Sequence, residues 1–348
     1  MSTADAAVDP AVGTAAGAVP QTTEAGPAAE TGAGPGTGTG AGPGTGAGAG
    51  PAAGTRAGTP AGVTEGPASR PGAVRAWSRL LVSETGLIFR RPRNVAMLAV
   101  LALVPVLLGV ALRLFGGPDE GEAGGGGAIF AQIAGNGLFL TFAALALLVQ
   151  LMLPVAVAVV AGDGIAGEAG GGTLRYLLTA PAGRTRLLTV KYAGAVLFSL
   201  AAVALVALSA LLTGLALFPA GPITLLSGTT IPFAEGVLRI GVVVLYTTAG
   251  MAALAAVSLA LSTLTEVAVG AIAATVVLVI AAQVVSVVPQ LSGLQPYLLT
   301  HWWSGFDGVL RDPVATAEMG QGLLVFAAYT VIFGSVAWAR FTSRDITA

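Results

Sequence analysis

The chain has 348 residues, of which 55% are hydrophobic and 9% are charged, and its formal net charge is −1. A mean hydropathy of +0.84 places it outside the soluble globular class, and the near-zero charge indicates neither a nucleic-acid partner nor an acidic substrate. The absence of cysteine from the sequence excludes disulfides, thiolate metal sites and cysteine nucleophiles. The single histidine, His301, argues against a histidine-built metal or acid–base centre.

Residues 1–73 form a low-complexity segment of Ala, Gly, Pro and Thr with a few acids. Because it has almost no large apolar side chains to bury, we predict that it stays disordered. It also lacks the basic start and apolar core of a secretory signal. A tether for some partner is the functional alternative to a solvated tail.

Residues 74–91 are amphipathic. The apolar side chains at helical spacing are Trp77, Leu80, Leu81, Leu87 and Ile88, and arginines lie among them. This pattern predicts an interfacial helix that lies on the surface of a membrane. Pro92 is expected to break that helix and turn the chain into the bilayer.

Six apolar runs follow, each long enough for the roughly 20 residues that a hydrocarbon core requires. They cover residues 95–115, 138–161, 192–217, 237–261, 267–288 and 322–339. The predicted fold class is therefore an all-α integral membrane protein, in which residues 74–348 form one six-helix transmembrane domain. Polar side chains are rare in mid-span, and we interpret Gln150 and Gln283 as interhelical hydrogen-bond contacts rather than as an ion-coupling site.

The charges predict the orientation of the chain. Cations gather in the 74–91 helix, in the connection 162–191 and in the C-terminal tail, which a chain with six spans places on one side of the membrane. The positive-inside rule then puts both termini in the cytoplasm of a multi-pass protein of the cell membrane. At the opposite side, Glu235 and Arg239 are four residues apart and are expected to pair.

The connection 162–191 is polar and interrupted by glycines. Within it, Thr173 has the chemistry of a helix cap, three leucines then fall on one face with Arg175 beside them, and Pro181 stops the helix. A short amphipathic helix of this kind docks in a groove of a soluble partner or lies in the headgroups, and periodicity alone leaves both open.

The connection before the last span is aromatic. Tyr297, Trp302, Trp303 and Phe306 lie beside His301 and several leucines. This composition is typical of an aromatic belt at headgroup depth, and a substrate gate at the outer mouth is the alternative.

The sequence contains no nucleotide-binding loop. A P-loop requires G-x-x-x-x-G-K-[ST], and the only lysine, Lys191, has no glycine run before it. We therefore expect that the chain itself does not bind and hydrolyse ATP in the P-loop manner.

Residues 162–191 resemble the signature of ABC-2 type transporter permeases. In that signature a span ends in D-x-I-A-x-E, and after it come G-T-L-x-x-L-L, a proline, a basic turn and a lysine. The matching residues are Asp163, Ile165, Ala166, Glu168, Gly172, Thr173, Leu174, Leu177, Leu178, Pro181, Arg184, Arg186 and Lys191. The segment THWWSGFDGVLRDP and the closing ARFTSRDITA resemble the aromatic loop and the terminal motif of that family. One departure is the neutral 169–171 stretch, where the family usually has a charged pair.

The resemblance implies the membrane-spanning subunit of an ATP-binding-cassette exporter, which works as a dimer bound to two separate ATPase chains. It makes residues 173–179 the coupling helix and residues 74–91 the connecting helix, with ATP bound on the partner and no cofactor bound by this chain. The residues then expected to couple to the ATPase are Glu168, Gly172, Thr173, Leu174, Arg175, Leu177, Leu178, Pro181, Arg184 and Lys191, and those of the outer aromatic loop are His301, Trp302, Trp303 and Phe306.

No catalytic, cofactor-binding or metal-binding residues are predicted, so the chain is not expected to be an enzyme. A membrane assembly or regulatory protein that transports nothing is the main alternative. An intramembrane enzyme is disfavoured by the shortage of His, Cys and buried acids in the sequence.

Overall fold

The computed structural model describes residues 73–115, 136–170, 183–225 and 227–343. The α-helices in these ranges are α1 (Ala73–Arg90), α2 (Pro92–Phe115), α3 (Phe139–Gln150), α4 (Met152–Gly170), α5 (Arg184–Leu217), α6 (Phe233–Leu264), α7 (Ala268–Val287) and α8 (Thr316–Ser343). Strands β1 (Ile223–Thr224) and β2 (Thr230–Ile231) form a small antiparallel hairpin. The 3₁₀ segments are Pro289–Leu291, Gln295–Tyr297 and Leu299–Leu310.

The described part of the chain is all-helical apart from this hairpin, and six of its helices, α2 and α4 to α8, are long and apolar enough to cross a membrane. The chain is therefore a multi-pass membrane protein. Most spans start or end a few residues beyond the predicted apolar runs, because polar residues extend the helices past the hydrocarbon. α5 shows this most clearly, since it begins at Arg184 rather than at 192.

The second predicted span, 138–161, consists of two helices. These are α3 and α4, which are separated at Leu151. The cause is Pro154, which has no N–H to donate to the carbonyl of Gln150 one turn earlier. Gln283 of α7 donates its Nε2 to that carbonyl at 3.2 Å and to Oε1 of Gln150 at 2.8 Å. The predicted interhelical role of these two glutamines is confirmed.

Helix α6 forms the centre of the bundle. It packs against α4, α5, α7, α8 and the Leu299–Leu310 segment, and most of its residues are buried. The outer helices α2, α7 and α8 leave most of their apolar side chains exposed, as expected for surfaces that face lipid. Gly250 of α6 lies directly under Trp303, where a Cβ would press on the indole ring.

The bundle has two differently built ends. The basic end contains the α1–α2 junction, the last turn of α4, the first turns of α5 and the last turns of α8. The loop end contains the start of α3, the end of α5, the hairpin, the start of α6 and the Leu299–Leu310 segment. At the loop end, Gly137 and Gly214 bring two backbones into direct contact, so that neither position has room for a Cβ.

Several predictions lie outside the described residues. These include the disordered tail, except for its last residue, and the coupling helix 173–179. α1 is a helix as expected, whereas its position on a membrane surface and the division into a tail and a domain stay predictions.

Candidate functional site

The lone lysine of the sequence lies inside the protein. Lys191 is two turns into α5, and only 3% of its side chain is exposed. Its Nζ donates to Oε1 of Glu168 at 2.6 Å and to Oε1 of Glu84 at 3.1 Å. Burial of an ammonium is costly unless it is paired and hydrogen-bonded, so the carboxylates of α4 and α1 are what permit this position. The three residues join α1, α4 and α5.

A second ion cluster lies beside the first. Asp163 of α4 accepts hydrogen bonds from Arg91 and, at 2.8 Å, from Nη2 of Arg93. Both arginines lie at the α1–α2 junction, where Asn94 also donates its side-chain amide to the carbonyl of Ile88 at 2.9 Å. Asp163 therefore attaches the turn between α1 and α2 to the body of the bundle.

The two clusters form one charge-balanced unit, which we call the ion-paired junction. Its members are Glu84, Arg91, Arg93, Asp163, Glu168 and Lys191, and their three positive and three negative charges cancel. All of them line one cavity of about 30 Å³. That volume suits ordered water rather than a substrate. The geometry therefore shows an ion-paired contact that holds α1, α4, α5 and the α1–α2 turn together.

A serine of α6 bonds to the backbone of α4 near Asp163 and Glu168. Ser262 of α6 donates its hydroxyl to the carbonyl of Gly162 at 2.7 Å and accepts the N–H groups of Ile165 at 3.2 Å and Ala166 at 2.9 Å. The hydroxyl thus takes part in the hydrogen-bond ladder of α4, which is a recognised cause of helix distortion. Gly162 permits this close approach, because a Cβ there would touch Ile272 and Ser258.

The first turns of α5 are also attached to α8. Nη1 of Arg184 donates to the carbonyl of Thr342 at 2.9 Å, and the indole N–H of Trp338 donates to the hydroxyl of Thr185 at 3.3 Å. Leu187 and Leu188 are buried with Phe341 in a separate small apolar cluster. Movement of the start of α5 would therefore act on α8 as well as on the ion-paired junction.

Three of the residues predicted to couple to an ATPase are described: Glu168, Arg184 and Lys191. All three are engaged within the chain, and Lys191 is too deeply buried to contact a soluble partner directly. The others lie outside the described residues: Gly172, Thr173, Leu174, Arg175, Leu177, Leu178 and Pro181. Their coupling role stays a prediction, and the structure provides the two helix ends, Gly170 and Arg184, between which they lie.

The loop end contains a second buried cation. Arg239 of α6 pairs with Glu235 through Nη2 at 2.8 Å and Nε at 3.2 Å, which confirms the predicted pair. Its Nη1 donates to the carbonyls of Val309 at 2.6 Å and Arg311 at 3.0 Å, which end the Leu299–Leu310 segment. In the same segment, partial burial raises the pKa of the Asp307 carboxyl, and the nearby charge of Arg311 opposes that rise.

The structure buries two members of the predicted aromatic belt. Trp303 and Phe306 are each 1% exposed and pack in the main core, and the depth of the loop in a membrane stays a prediction. The 3₁₀ path folds them inward onto α6, because Gly250 leaves space for the indole. His301 is exposed and packs edge-on against Trp302, whose indole N–H donates to the carbonyl of Pro296 at 2.7 Å. The gate alternative stays untested.

Sequence reasoning missed Glu84 and Ser262. Glu84 is the single acid in the arginine-rich sequence of α1, and a lone acid opposite a lone lysine is a signal that could have been noticed. Ser262 gave no comparable signal, because a serine next to a span end is ordinary. Asp163 was included in the family motif, although its arginine partners were not foreseen.

Two comparisons with known proteins bear on this site. A family described as "Protein of unknown function (DUF2705)" matches residues 126–347. The "Probable ABC transporter permease protein NosY" of Pseudomonas aeruginosa is 35% identical over 153 residues. Those residues are 44% of this chain and 52% of that protein, so the chain spans about half the length of the curated relative it matches. α1 and α2 precede the family match, whereas Asp163, Glu168 and Lys191 lie within it.

Proposed function

The chain belongs to the DUF2705 family of proteins of unknown function, and we propose that it is the membrane-spanning permease subunit of an ABC transporter. The relationship to a protein named as an ABC transporter permease supports this role. In this role the chain is a membrane subunit and not an enzyme, and a separate ATPase subunit binds and hydrolyses the nucleotide. We further propose the ABC-2 subtype, export as the direction, and a pair of permease chains in the cell membrane with both termini in the cytoplasm.

The observation that carries the proposal is the position of the ion-paired junction. Glu168 and Lys191 lie before and after residues 173–179, the segment that resembles a coupling helix, and they pair directly at 2.6 Å. A push on that segment would reach α4 and α5 together. Through Glu84, Asp163 and the arginines of the α1–α2 junction, the same push would reach α1 and α2.

This arrangement supports a mechanical mode of energy transfer. Closure of the ATPase displaces residues 173–179, and the charge-balanced junction keeps the inner ends of α1, α4 and α5 moving as one body. The hydrogen bonding at Ser262 and the break at Leu151 are the places where α4 bends with the least loss of backbone hydrogen bonds. The motion then alters access between the two leaflets.

Orientation is the first property to test. Because the natural sequence has no cysteine, single-cysteine variants report accessibility directly. Thr173→Cys and Ser292→Cys are labelled with a membrane-impermeant maleimide in intact cells and in inverted vesicles. We expect S292C to react only in cells and T173C only in inverted vesicles. Labelling of T173C from outside the cell would end the coupling proposal.

Partner binding is the second test. The full chain is purified in mild detergent, and mass spectrometry identifies proteins that are present in stoichiometric amounts. A P-loop ATPase is expected with the natural chain and with Arg113→Glu, a control at the far end of α2. Arg175→Glu and Leu177→Asp should lose it. Retention of the ATPase by both variants would contradict the coupling assignment, and its absence from the natural chain would favour a non-transporting assembly protein.

A further inference from the structure

A large apolar cavity lies in the half of the bundle where α7 and α8 flank α6. Its volume is about 470 Å³. Leu254 and Val257 of α6 form its floor, and the Leu298–Trp303 stretch covers one end. The side walls are formed by α7, through Leu278, Val279 and Ala282, and by α8, through Val325, Ala328, Tyr329, Ile332 and Phe333.

The cavity opens sideways, toward the surroundings of the helices. Leu278, Tyr297 and Ile332 line its mouth and are 45%, 74% and 56% exposed. α7 and α8 are both candidate membrane spans, so this mouth meets hydrocarbon and not water. If the cavity were empty, its lining side chains would lose van der Waals contacts on one side. The lining is also too apolar to hold water well.

The rim nearest the loop end is polar and ordered. The hydroxyl of Tyr329 donates to the carbonyl of Tyr297 at 3.0 Å, and this bond joins α8 to the 3₁₀ segment over the cavity. Tyr329 also stacks on Phe333, with ring centroids 5.7 Å apart, so this wall is a fixed aromatic surface. The exposed phenol of Tyr297 provides a hydrogen-bonding group beside an otherwise apolar entrance.

We propose that this cavity is a binding site for one acyl chain of a membrane phospholipid, with the polar headgroup at the Tyr297 rim. The volume lies in the range of roughly 300–1,000 Å³ that small-molecule sites occupy. The part of the occupant that lies inside the cavity must be apolar, and the part that lies at the Tyr297 rim must be polar. A phospholipid meets both requirements. A helix of a second copy fits poorly. One helical turn, about 10 Å wide and 5.4 Å long, has a volume of roughly 400 Å³ and would by itself take up most of the cavity. The inference does not depend on the permease function.

The test uses the full chain in phosphatidylcholine vesicles that contain a small fraction of phosphatidylcholine with a diazirine in the middle of one acyl chain. After irradiation, labelled peptides are mapped by mass spectrometry. We expect labelling concentrated on Ala282, Trp303 and Ala328 and their neighbours in the cavity, above that of the exposed apolar face of α2. Equal labelling of both surfaces would mean ordinary solvation by lipid and would overturn the proposal.

Two matched pairs of variants sharpen the result. Ala328→Trp fills the cavity from α8, while Ala327→Trp adds the same ring on an exposed position of α8 outside the lining. Because an indole displaces several methylene groups, A328W should lower cavity labelling about tenfold, and A327W should leave it unchanged. Ala282→Trp and Ala281→Trp make the same comparison on α7 if A328W does not fold. Undiminished labelling in the folded cavity-filling variant, or crosslinks between two chains across the cavity, would overturn the proposal.

Discussion

Among the residues that the structure describes, each end of the bundle buries one cation, and the two cations are held in different ways. At the basic end, Lys191 is neutralised by two carboxylates, Glu84 and Glu168, which are 107 and 23 residues away in the sequence. At the loop end, Arg239 is paired with Glu235 only four residues away, and its remaining donors are used by backbone carbonyls. The lysine joins three helices, whereas the arginine attaches one helix to a non-helical segment.

The difference shows two uses of a buried charge. Arginine presents a rigid fork of donors that suits several oxygens at once, so Arg239 acts as a structural fastening for the Leu299–Leu310 segment. Lysine is a compact charge on a flexible stem, so its partners can shift slightly without breaking the pair. A joint that transmits motion needs that tolerance, and a fixed loop does not. The basic end is therefore the better candidate for the moving part.

The largest effect is expected from Lys191→Met. It leaves Glu84 and Glu168 as like charges in a mostly buried site, and loss of one partner from a buried ion group costs about 3–5 kcal/mol. Thermal unfolding in detergent should show a strong destabilisation, and amide exchange of residues 84–90 should become faster. The control combines Lys191→Met with Glu84→Gln and Glu168→Gln, which removes the stranded charges. If that triple variant is as unstable as the single one, the charge argument fails.

The second effect tests the packing of the loop end. Gly214→Ala places a Cβ against the backbone carbonyl of Gly137, which cannot rotate away. Overpacking of this kind costs about 1–3 kcal/mol, although alanine is otherwise the better helix former. The matched control is Gly241→Ala in α6, where nothing lies within 4 Å of the new Cβ. G241A should be neutral or slightly stabilising in the same unfolding measurement, and similar results for both variants would contradict the packing of α3 on α5.

A smaller effect is expected when the cation of the loop end is exchanged. Arg239→Lys keeps the charge beside Glu235 but cannot bridge the carboxylate and the carbonyls of Val309 and Arg311 together. The lysine keeps the charge and some of these contacts, so the cost should stay below about 1.5 kcal/mol, the lower end of the range for hydrogen bonds to a charged group. Amide exchange in residues 299–310 should increase while exchange in α1 stays unchanged. An equal increase at both ends would mean that the two ends are not independent.

The smallest effect concerns Asp307 and pH. Partial burial raises the pKa of its carboxyl above the ordinary 3.8, so the charged form is less favourable in the folded protein than in the unfolded chain. The folded state is therefore penalised above the folded-state pKa, and the penalty disappears as pH falls below the ordinary value. Asp307→Asn should remove this dependence and raise stability at neutral pH by less than about 1 kcal/mol. Melting temperatures of both proteins between acidic and neutral pH measure the difference, and a loss of stability in D307N at neutral pH would contradict it.

Local patterns predicted much of the architecture. The apolar runs located the spans because hydrocarbon imposes a length and a composition on any helix that crosses it. The pair of Glu235 and Arg239 followed from one turn of helix, and Pro92 correctly separated α1 from α2. The division of the second span into α3 and α4 was not predicted, because hydropathy does not register that Pro154 removes a backbone donor.

The remaining features were decided by tertiary structure. Hydropathy and spacing indicate where a helix lies in the sequence and which of its faces is apolar. They contain no information about which other helix packs against it. The burial of Trp303 depends on the space above Gly250, the attachment of α4 depends on a hydroxyl from α6, and the apolar cavity depends on how α7 and α8 are placed against α6. Lys191 is the clearest example: the sequence determined that the chain has one lysine near a membrane surface, and only the packing of α1 and α4 against α5 decided that two distant carboxylates would enclose it.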